Sequence, residues 1–363
     1  MAVSRINEAG LNVNQYGNRN LIINGAMKVA QRGTQTNQTS GYTACDRWQF
    51  SESGASVITT TQDTDVPSAQ GFANSLKIDV TTADTSVGAA EYAFLRTKLE
   101  GQDLQQLLYG TSSAKEITLS FWVKSSKTGI HVVELRHRDP SGGTNYNNQQ
   151  YTISAADTWQ NVTMTFVGQT TDAFDDDNNA SLEIVYWLMA GSDFSGGTFV
   201  SNTWATSSNN RAAGQVNVMD STSNNWYITG VQLEVGDTAT DFEHRTFADE
   251  LIRCQRYYEQ QDGLSGTTIY GVGYNESTTI GKGMIPFKVT KRANPTVSIL
   301  NAGHFCNVST GTTHVASSLS FDGQAPFNTR YTCTSSSASL VDGGASNLQR
   351  FTGDAIIKID AEL

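Results

Sequence analysis

Residues 226–258 read WYITGVQLEVGDTATDFEHRTFADELIRCQRYY, and this stretch decides how the chain is divided. From Trp226 to Glu234 polar and apolar residues alternate, and the run ends at Gly236-Asp237, the pattern of a strand entering a turn. Farther on, Phe247, Leu251, Cys254 and Tyr258 fall at i, i+4, i+7 and i+11, one apolar stripe of a helix. Thr246 stands where an N-cap belongs and Asp249 where its capping-box acid belongs, with Arg253 and Arg256 toward the negative end. A long β-rich segment precedes this strand, turn and helix, and a shorter one follows. The stretch therefore predicts the closing strand of one domain and a helical connector, residues 246–262, to the next.

The combination resembles tail-fibre and related virion proteins of tailed bacteriophages. In these a carbohydrate-binding-module-like β-sandwich ends on a VQLE-G strand that leads through an acidic, aromatic turn into a CQRYY helix. Val231-Gln232-Leu233-Glu234-Val235-Gly236 and Cys254-Gln255-Arg256-Tyr257-Tyr258 carry the match. Asn20-Leu21-Ile22-Ile23-Asn24-Gly25, Gln31-Arg32-Gly33-Thr34 and Tyr42 through Trp48 look like the family's opening, and Asp360-Ala361-Glu362-Leu363 like its ending. The resemblance implies a virion protein made in the host cytoplasm, trimeric about a fibre axis. It brings no catalytic motif.

Composition supports a β protein of the extracellular or virion kind. Of 363 residues only 16% are charged, while Gly, Ser, Thr and Asn abound and Pro is scarce. The net charge of -11 opposes nucleic acid and anionic lipid as partners, since both need a basic surface. No apolar run approaches a bilayer-spanning length, so no membrane insertion is expected. MAVSRINEAG lacks the apolar core of a signal peptide. Cys45, Cys254, Cys306 and Cys333 show neither metal-knuckle spacing nor scaffold density and read as buried thiols. Cys306 with Cys333 is the one pair that would suit a bridge between neighbouring strands.

Taken in order, residues 1–19 are polar with isolated Ile6, Leu11 and Val13. They read either as a frayed end or as an N-terminal docking arm that orders on assembly. Residues 20–245 read as an antiparallel jelly-roll β-sandwich. Its clearest strand is 116–124, with Ile117, Leu119, Phe121 and Val123 on one face and Trp122 on the other. Lys127-Thr128-Gly129 looks like a hairpin turn into a strand at 130–138. Further strands are read at 75–80, 91–95, 161–167 and 181–189, with a short helix at 99–109. Two long polar loops, 139–150 and 190–214, carry Tyr146, Phe194, Phe199 and Trp204, and long loops in compact domains are often functional. Residues 263–363 read as a second, small β domain with strands at 267–274, 282–289, 296–300, 331–335 and 355–359. The fold class expected is all-β.

Chemistry has few places to sit. Neither a GxSxG elbow nor HExxH occurs, and the pairing of 35 acids across a cleft is not legible in sequence. A depolymerase is the least supported reading, and no enzyme is expected. His131 and His137 share a strand face but lack a third partner, so both read as structural. Residues 172–179, DAFDDDNN, gather oxygen ligands, and Asp175, Asp176 and Asp177 would suit a structural Ca²⁺; otherwise the loop is simply solvated. No other cofactor is expected. Sugars stack on Trp and Tyr, which nominates Trp122 and Trp187, out of phase with their strands' apolar faces, and Tyr146 and Trp204 in the loops. For Trp122 and Trp187 burial against a loop or a neighbouring subunit is the plainer reading. The functional expectation is a tail-fibre or receptor-binding subunit contacting a host surface glycan, associating with itself and other virion proteins. The alternative is a fibre, adaptor or decoration subunit that binds no sugar.

Overall fold

A computed structural model describes residues 18–141, 143–263 and 268–363. The docking-arm reading falls on residues 1–17 for all but its last two positions and lies outside the described residues. The chain divides into two compact units, Met1–Phe247 and Ala248–Leu363.

The first unit contains β1 (Gln35–Gln38), β2 (Gly41–Tyr42), β3 (Gln49–Glu52), β4 (Val57–Asp63), β5 (Ser75–Thr82), β6 (Tyr92–Glu100), β7 (Ile117–Ser125), β8 (Gly129–His137), β9 (Asn145–Ile153), β10 (Gln160–Phe166), β11 (Ala180–Ala190) and β12 (Asn225–Val235). They form two six-stranded antiparallel sheets, ordered β1-β4-β5-β12-β7-β10 and β2-β3-β6-β11-β8-β9. This is the jelly-roll-like sandwich that the alternating pattern predicts. Ile117, Leu119, Phe121 and Val123 of β7 are fully buried and share one core with Leu182, Ile184, Tyr186 and Leu188 of β11. Burying each such side chain contributes about 1.5–3 kcal/mol.

β12 lies at the centre of the first sheet, between β5 and β7, as a closing strand should. Its simple alternation breaks midway. Trp226 and Ile228 belong to the core, and then Val231 and Leu233 do, because the pairing with β7 slips between Thr229 and Gln232. One extra residue in the strand reverses the parity of everything after it. Gly230 sits in that bulge at φ +62°, a left-handed conformation that favours glycine.

The stretches that carry the family resemblance are physically joined. The Asn20 side chain donates to the Val231 carbonyl (3.0 Å) and accepts from the Leu233 N–H (3.1 Å), while the Leu21 N–H donates to the Leu233 carbonyl (2.9 Å). Asn24 donates to the carbonyls of Val29 (2.8 Å) and Asp46 (2.9 Å), and its own carbonyl accepts from Trp48 Nε1 (3.2 Å). A buried amide that makes all its bonds to backbone fixes two chain segments at once, and its loss strands several polar groups.

Three sequence expectations are corrected here. β7 and β8 do not form a hairpin: the link at 126–128 carries the chain from one sheet to the other. Residues 145–150 are no loop, for β9 pairs along its whole length with β8. The helix read at 99–109 is the end of β6 followed by two short 3₁₀ turns at 101–103 and 105–107.

The first unit also holds a one-turn helix, α1 (Ser192–Ser195), and α2 (Phe247–Gln255) opens at the unit boundary. α2 is shorter than the connector predicted, and its stripe is only half used. Cys254 and Tyr258 are buried, Leu251 is half-buried, and Phe247 is 57% exposed. Tyr258 is not helical; it begins β13 (Tyr258–Asp262), paired with Asp360. A strand partner thus claims the residues that would have extended the helix.

Beyond β13 the second unit contains β14 (Ile269–Asn275), β15 (Ile280–Pro286), β16 (Thr296–Ile299), β17 (Phe305–Ser309), β18 (Thr312–Ala325), β19 (Asn328–Ser335), β20 (Ala345–Arg350) and β21 (Ile356–Asp360). β14-β15-β19-β18-β17-β20 close into a barrel, and β13-β21-β16 form a small separate sheet. β17, β18 and β20 had no sequence counterpart among the predicted strands. Lys291 and Glu259, both fully buried, pair at 2.6 Å, and Lys291 also donates to the Gln255 carbonyl (2.6 Å). All four cysteines are buried free thiols. Cys306 on β17 and Cys333 on β19 are separated by β18, which explains why no bridge joins them. Among the described residues no helix is long and apolar enough to cross a membrane.

Candidate functional site

A cleft of about 540 Å³ opens on the outer face of the first sheet. Its floor is made by alternate residues of three strands. Ser120 and Trp122 project from β7 on the side opposite Phe121, and Thr163 and Asn161 stand directly across from them on β10. Gly230 supplies the floor beside Trp122. A Cβ there would lie 2.6 Å from the Phe72 ring and 3.1 Å from Trp122, so the bulge glycine is also what lets the aromatic wall close in.

Two connecting segments form the walls. Residues 69–72 contribute Gln70 and Phe72, and residues 239–244 contribute Thr240, Asp241, Phe242 and His244. Phe72, Phe242 and His244 pack as a trio, with ring centroids 5.0, 5.3 and 4.9 Å apart. The second wall is anchored by backbone: Arg245 donates to the Ile22 carbonyl (2.9 Å) and Lys28 to the Arg245 carbonyl (2.9 Å). Burial, aided by Lys28, lowers the His244 pKa, so the ring is neutral at pH 7. The lining therefore combines aromatic faces with neutral hydrogen-bonding groups and one carboxylate, Asp241. That mixture recognises a polar, uncharged, flat-faced ligand.

The neighbouring cations on this face are already committed. Lys124, two residues beyond Trp122, pairs with Asp65 and lies 4.2 Å above the Tyr227 ring. Trp159 donates to the same Asp65 (2.9 Å), and Lys77 pairs with Asp79 (2.7 Å).

The outer face of the second sheet is different. Residues 191–217 fold across it as a strap, which backbone hydrogen bonds tie to Tyr146 (2.8 Å) and Asn148 (3.0 Å) of β9. Of the two readings of Trp187, a sugar platform or packing against a loop, the structure shows the second: it is only 1% exposed, packed against Phe94 and Phe194 beneath this strap. It is removed as a contact residue. Arg211 reaches down from the strap to make two 2.7 Å bonds with the Glu134 carboxylate and lies 3.9 Å above the Tyr146 ring. Burial alone would raise the Glu134 pKa, but Arg136 and Arg211 outweigh it and hold the carboxylate below its usual range. Tyr146 is thus a strand residue serving as a shelf for Arg211. Trp204 closes the end of the core, donating from Nε1 to the Val167 carbonyl (2.8 Å) beside His137. The structure does not bring Trp122, Tyr146, Trp187 and Trp204 together.

The remaining candidates are structural or solvated. His131 is buried against Tyr151 and bonded to the Lys127 carbonyl (3.1 Å); burial drives its pKa down to about 4. His137 packs on Phe174 and bonds to the Ala173 carbonyl (3.1 Å). The calcium reading of Asp175, Asp176 and Asp177 is not supported: among the described residues no three His, Cys, Asp or Glu side chains gather to hold a metal. Asp175 and Asp176 face solvent, and Asp177 spends its oxygens on Asn179 of its own turn (2.9 and 2.5 Å).

Sequence reasoning nominated Trp122, which lines this cleft, and did not single out Phe72, Phe242 or His244 beside it. The signal for two of them was visible, since Asp241-Phe242-Glu243-His244 is the acidic, aromatic turn of the resemblance. The sequence reads it as the turn leading into the connector rather than as a wall.

No family model matches the chain, and no curated protein sequence matches it. Among solved structures it is similar to the enzymatically active domain of tailspike protein 4 of bacteriophage CBA120, at 16% identity and TM-score 0.33, over 60% of this chain and 21% of that one. The chain thus spans about a fifth of that structure's length. It is similar to a family 11 carbohydrate-binding module from a cellulosomal cellulase of Clostridium thermocellum, at 13% identity and TM-score 0.29, over 59% of this chain and 98% of that one. A third likeness is to TmCBM61 in complex with β-1,4-galactotriose, at 10% identity and TM-score 0.29, over 60% and 99%.

Proposed function

We propose that this protein is a non-enzymatic structural component of a tailed-phage virion, a tail-fibre or receptor-binding subunit that contacts a host surface glycan through the cleft at Trp122. The observation that carries the binding half of this reading is the cleft's lining. A half-exposed indole and two phenyl rings offer stacking faces, while Gln70, Ser120, Asn161, Thr163 and Thr240 offer neutral hydrogen bonds to hydroxyls. The virion half rests on the family resemblance of residues 20–48 and 231–258. It carries with it production in the host cytoplasm, for which four buried free thiols are suited, and a homotrimer packed with other virion proteins.

A glycan array probed with the whole protein and with Trp122→Ala tests the reading. Binding of at least one glycan that weakens tenfold or more in the variant supports it; an array on which nothing binds, or on which the variant binds equally, sinks it.

One observation favours the alternative of a fibre or adaptor subunit that works through protein contacts alone. On the barrel, Val272 (64% exposed), Tyr274 (51%) and Met284 (45%) stand side by side on β14 and β15 around a hollow of about 450 Å³. Apolar clusters of this kind mark interaction surfaces. Sedimentation equilibrium at micromolar concentration is the matching test: an oligomer, with no glycan bound, favours the alternative.

A further inference from the structure

The outer face of the second sheet holds more positive charge than its carboxylates balance. Arg211 and Arg136 both bond to Glu134, so that carboxylate is fully used. Glu183 is then left to serve three guanidiniums: Arg96 at 3.3 Å, Arg136 at 3.6 Å and Arg138 at 3.9 Å. None of these is the short, forked pair that arginine makes when a carboxylate is its own. Four guanidiniums share two carboxylates, in a protein whose net charge is -11. Arg136 shows the deficit at atomic level. Its side chain is 7% exposed, yet its Nη2 is buried without a hydrogen-bond partner.

The arrangement is held rigid and reachable from one side. The Phe94 ring lies under both Arg136 (4.4 Å) and Arg96 (5.5 Å), fixing their planes. Gln49 accepts from Arg96 Nε (2.9 Å). Arg138, with 46% of its side chain exposed, and Arg96, with 19%, open the cluster to solvent, whereas Arg211 and Glu134 are closed beneath the strap. Half-buried Tyr92 stacks on Phe94 with centroids 5.0 Å apart and planes 17° from parallel, so a flat apolar face continues along β6 beside the guanidiniums.

We propose that Arg96, Arg136 and Arg138 form a second saccharide site, one that takes the carboxylate of a uronic-acid-type sugar, with the ring of that sugar lying toward Tyr92. An incoming carboxylate supplies the acceptor that the three guanidiniums share too thinly on Glu183. The aromatic face beside them selects a sugar over a bare anion. This site lies on the opposite sheet from Trp122 and does not rest on the cleft reading.

The test is calorimetric titration of the whole protein with trigalacturonate and with its neutral counterpart galactotriose, at low and at physiological salt. The expected result is binding of the uronate alone, weakened by salt and by at least tenfold in Arg138→Gln, with Trp122→Ala unchanged. Arg96→Gln adds a second reading on a partly buried partner; should it fail to fold, Arg138→Gln, at an exposed position, decides alone. Absence of uronate binding overturns the proposal. So does binding that Arg138→Gln leaves intact, binding that Trp122→Ala abolishes, or sulfate binding as tight as the uronate's.

Discussion

The two outer faces of the sandwich start from the same sequence logic and end in opposite states. Trp122 on β7 and Trp187 on β11 each stand out of phase with their strand's apolar face, and each points away from the core. Trp122 stays half-exposed in a polar cleft, whereas Trp187 is closed in by 27 intervening-loop residues, 191–217, and fastened there through Arg211 and Glu134. Parity along a strand decides which side a residue faces. Whether that side is a surface depends on a segment far away in the chain, and strand pattern is silent about it.

The comparison is broken most forcefully at the strap. Glu134→Ala leaves the buried Arg211 without its carboxylate and Arg136 with Glu183 alone at 3.6 Å, and is expected to cost about 3–5 kcal/mol, the usual penalty for removing one member of a buried pair. Urea denaturation measures the loss, and a red shift of tryptophan emission would report Trp187 meeting water. Unchanged stability would mean that the strap is not held by this pair.

Next in size is an acid effect centred on the inner side of β8. Folding lowers the His131 pKa from its ordinary 6.5 to about 4, so the neutral ring is the form the fold prefers. Above pH 6.5 this group adds no pH dependence. As pH falls further the unfolded chain takes up the proton first, and stability drains away until pH 4, by about 3 kcal/mol in all. His137 and His244, also lowered, add to the same slope. His131→Gln should flatten the stability–pH curve between 6.5 and 4 relative to the parent protein, and equal slopes would refute the assignment.

A smaller change sharpens the picture of the open face. Gly230→Ala places a Cβ at φ +62° and against Phe72, with an expected cost of about 1–2 kcal/mol for the left-handed backbone. Because the same Cβ pushes Phe72 and Trp122 apart, glycan binding should fall with it. Smallest in stability is Trp122→Ala, expected to move the denaturation midpoint by the equivalent of about 1 kcal/mol or less while weakening binding at least tenfold. A large loss of stability in that variant would recast Trp122 as packing.

Much of the sandwich was legible because one buried face per strand leaves a period-two record. β7, β10 and β11 were found within a residue or two on that basis. Three features escaped for identifiable reasons. The turn at 126–128 looks the same whether it joins strands within a sheet or across the sandwich, since both keep the apolar residues facing inward. β9, NYNNQQYTI, reads as a loop because the residues it buries are polar: Asn145, Asn147 and Asn148 are all buried, and Asn147 donates to Asn202 of the strap (3.4 Å). The parity reversal at Gly230 is invisible unless the bulge is known. In the second unit β18, TTHVASSLSFDGQA, lies in a barrel wall where only His314 and Ala316 are fully buried, so its pattern is faint. The cleft was legible only at Trp122, because its aromatic walls come from turns, where no period marks an inward face.

The closure of the barrel bears on when the second unit can fold. β14 pairs with its neighbour β15 but also with β20, Ile269 meeting Gln349, and β13 pairs with β21, Tyr258 meeting Asp360. These two ladders join residues 80 and 102 positions apart, so their chain-entropy cost falls due before their contacts form. A nascent chain emerging from the ribosome can complete the sandwich while β20 and β21 are still unmade. Until they arrive β14 and β13 present open hydrogen-bonding edges, a hazard for cross-pairing between crowded copies. The order this topology imposes is one of synthesis: every strand of the sandwich is made by residue 235, whereas the barrel waits for β20 and the small sheet for β21, which end at residues 350 and 360.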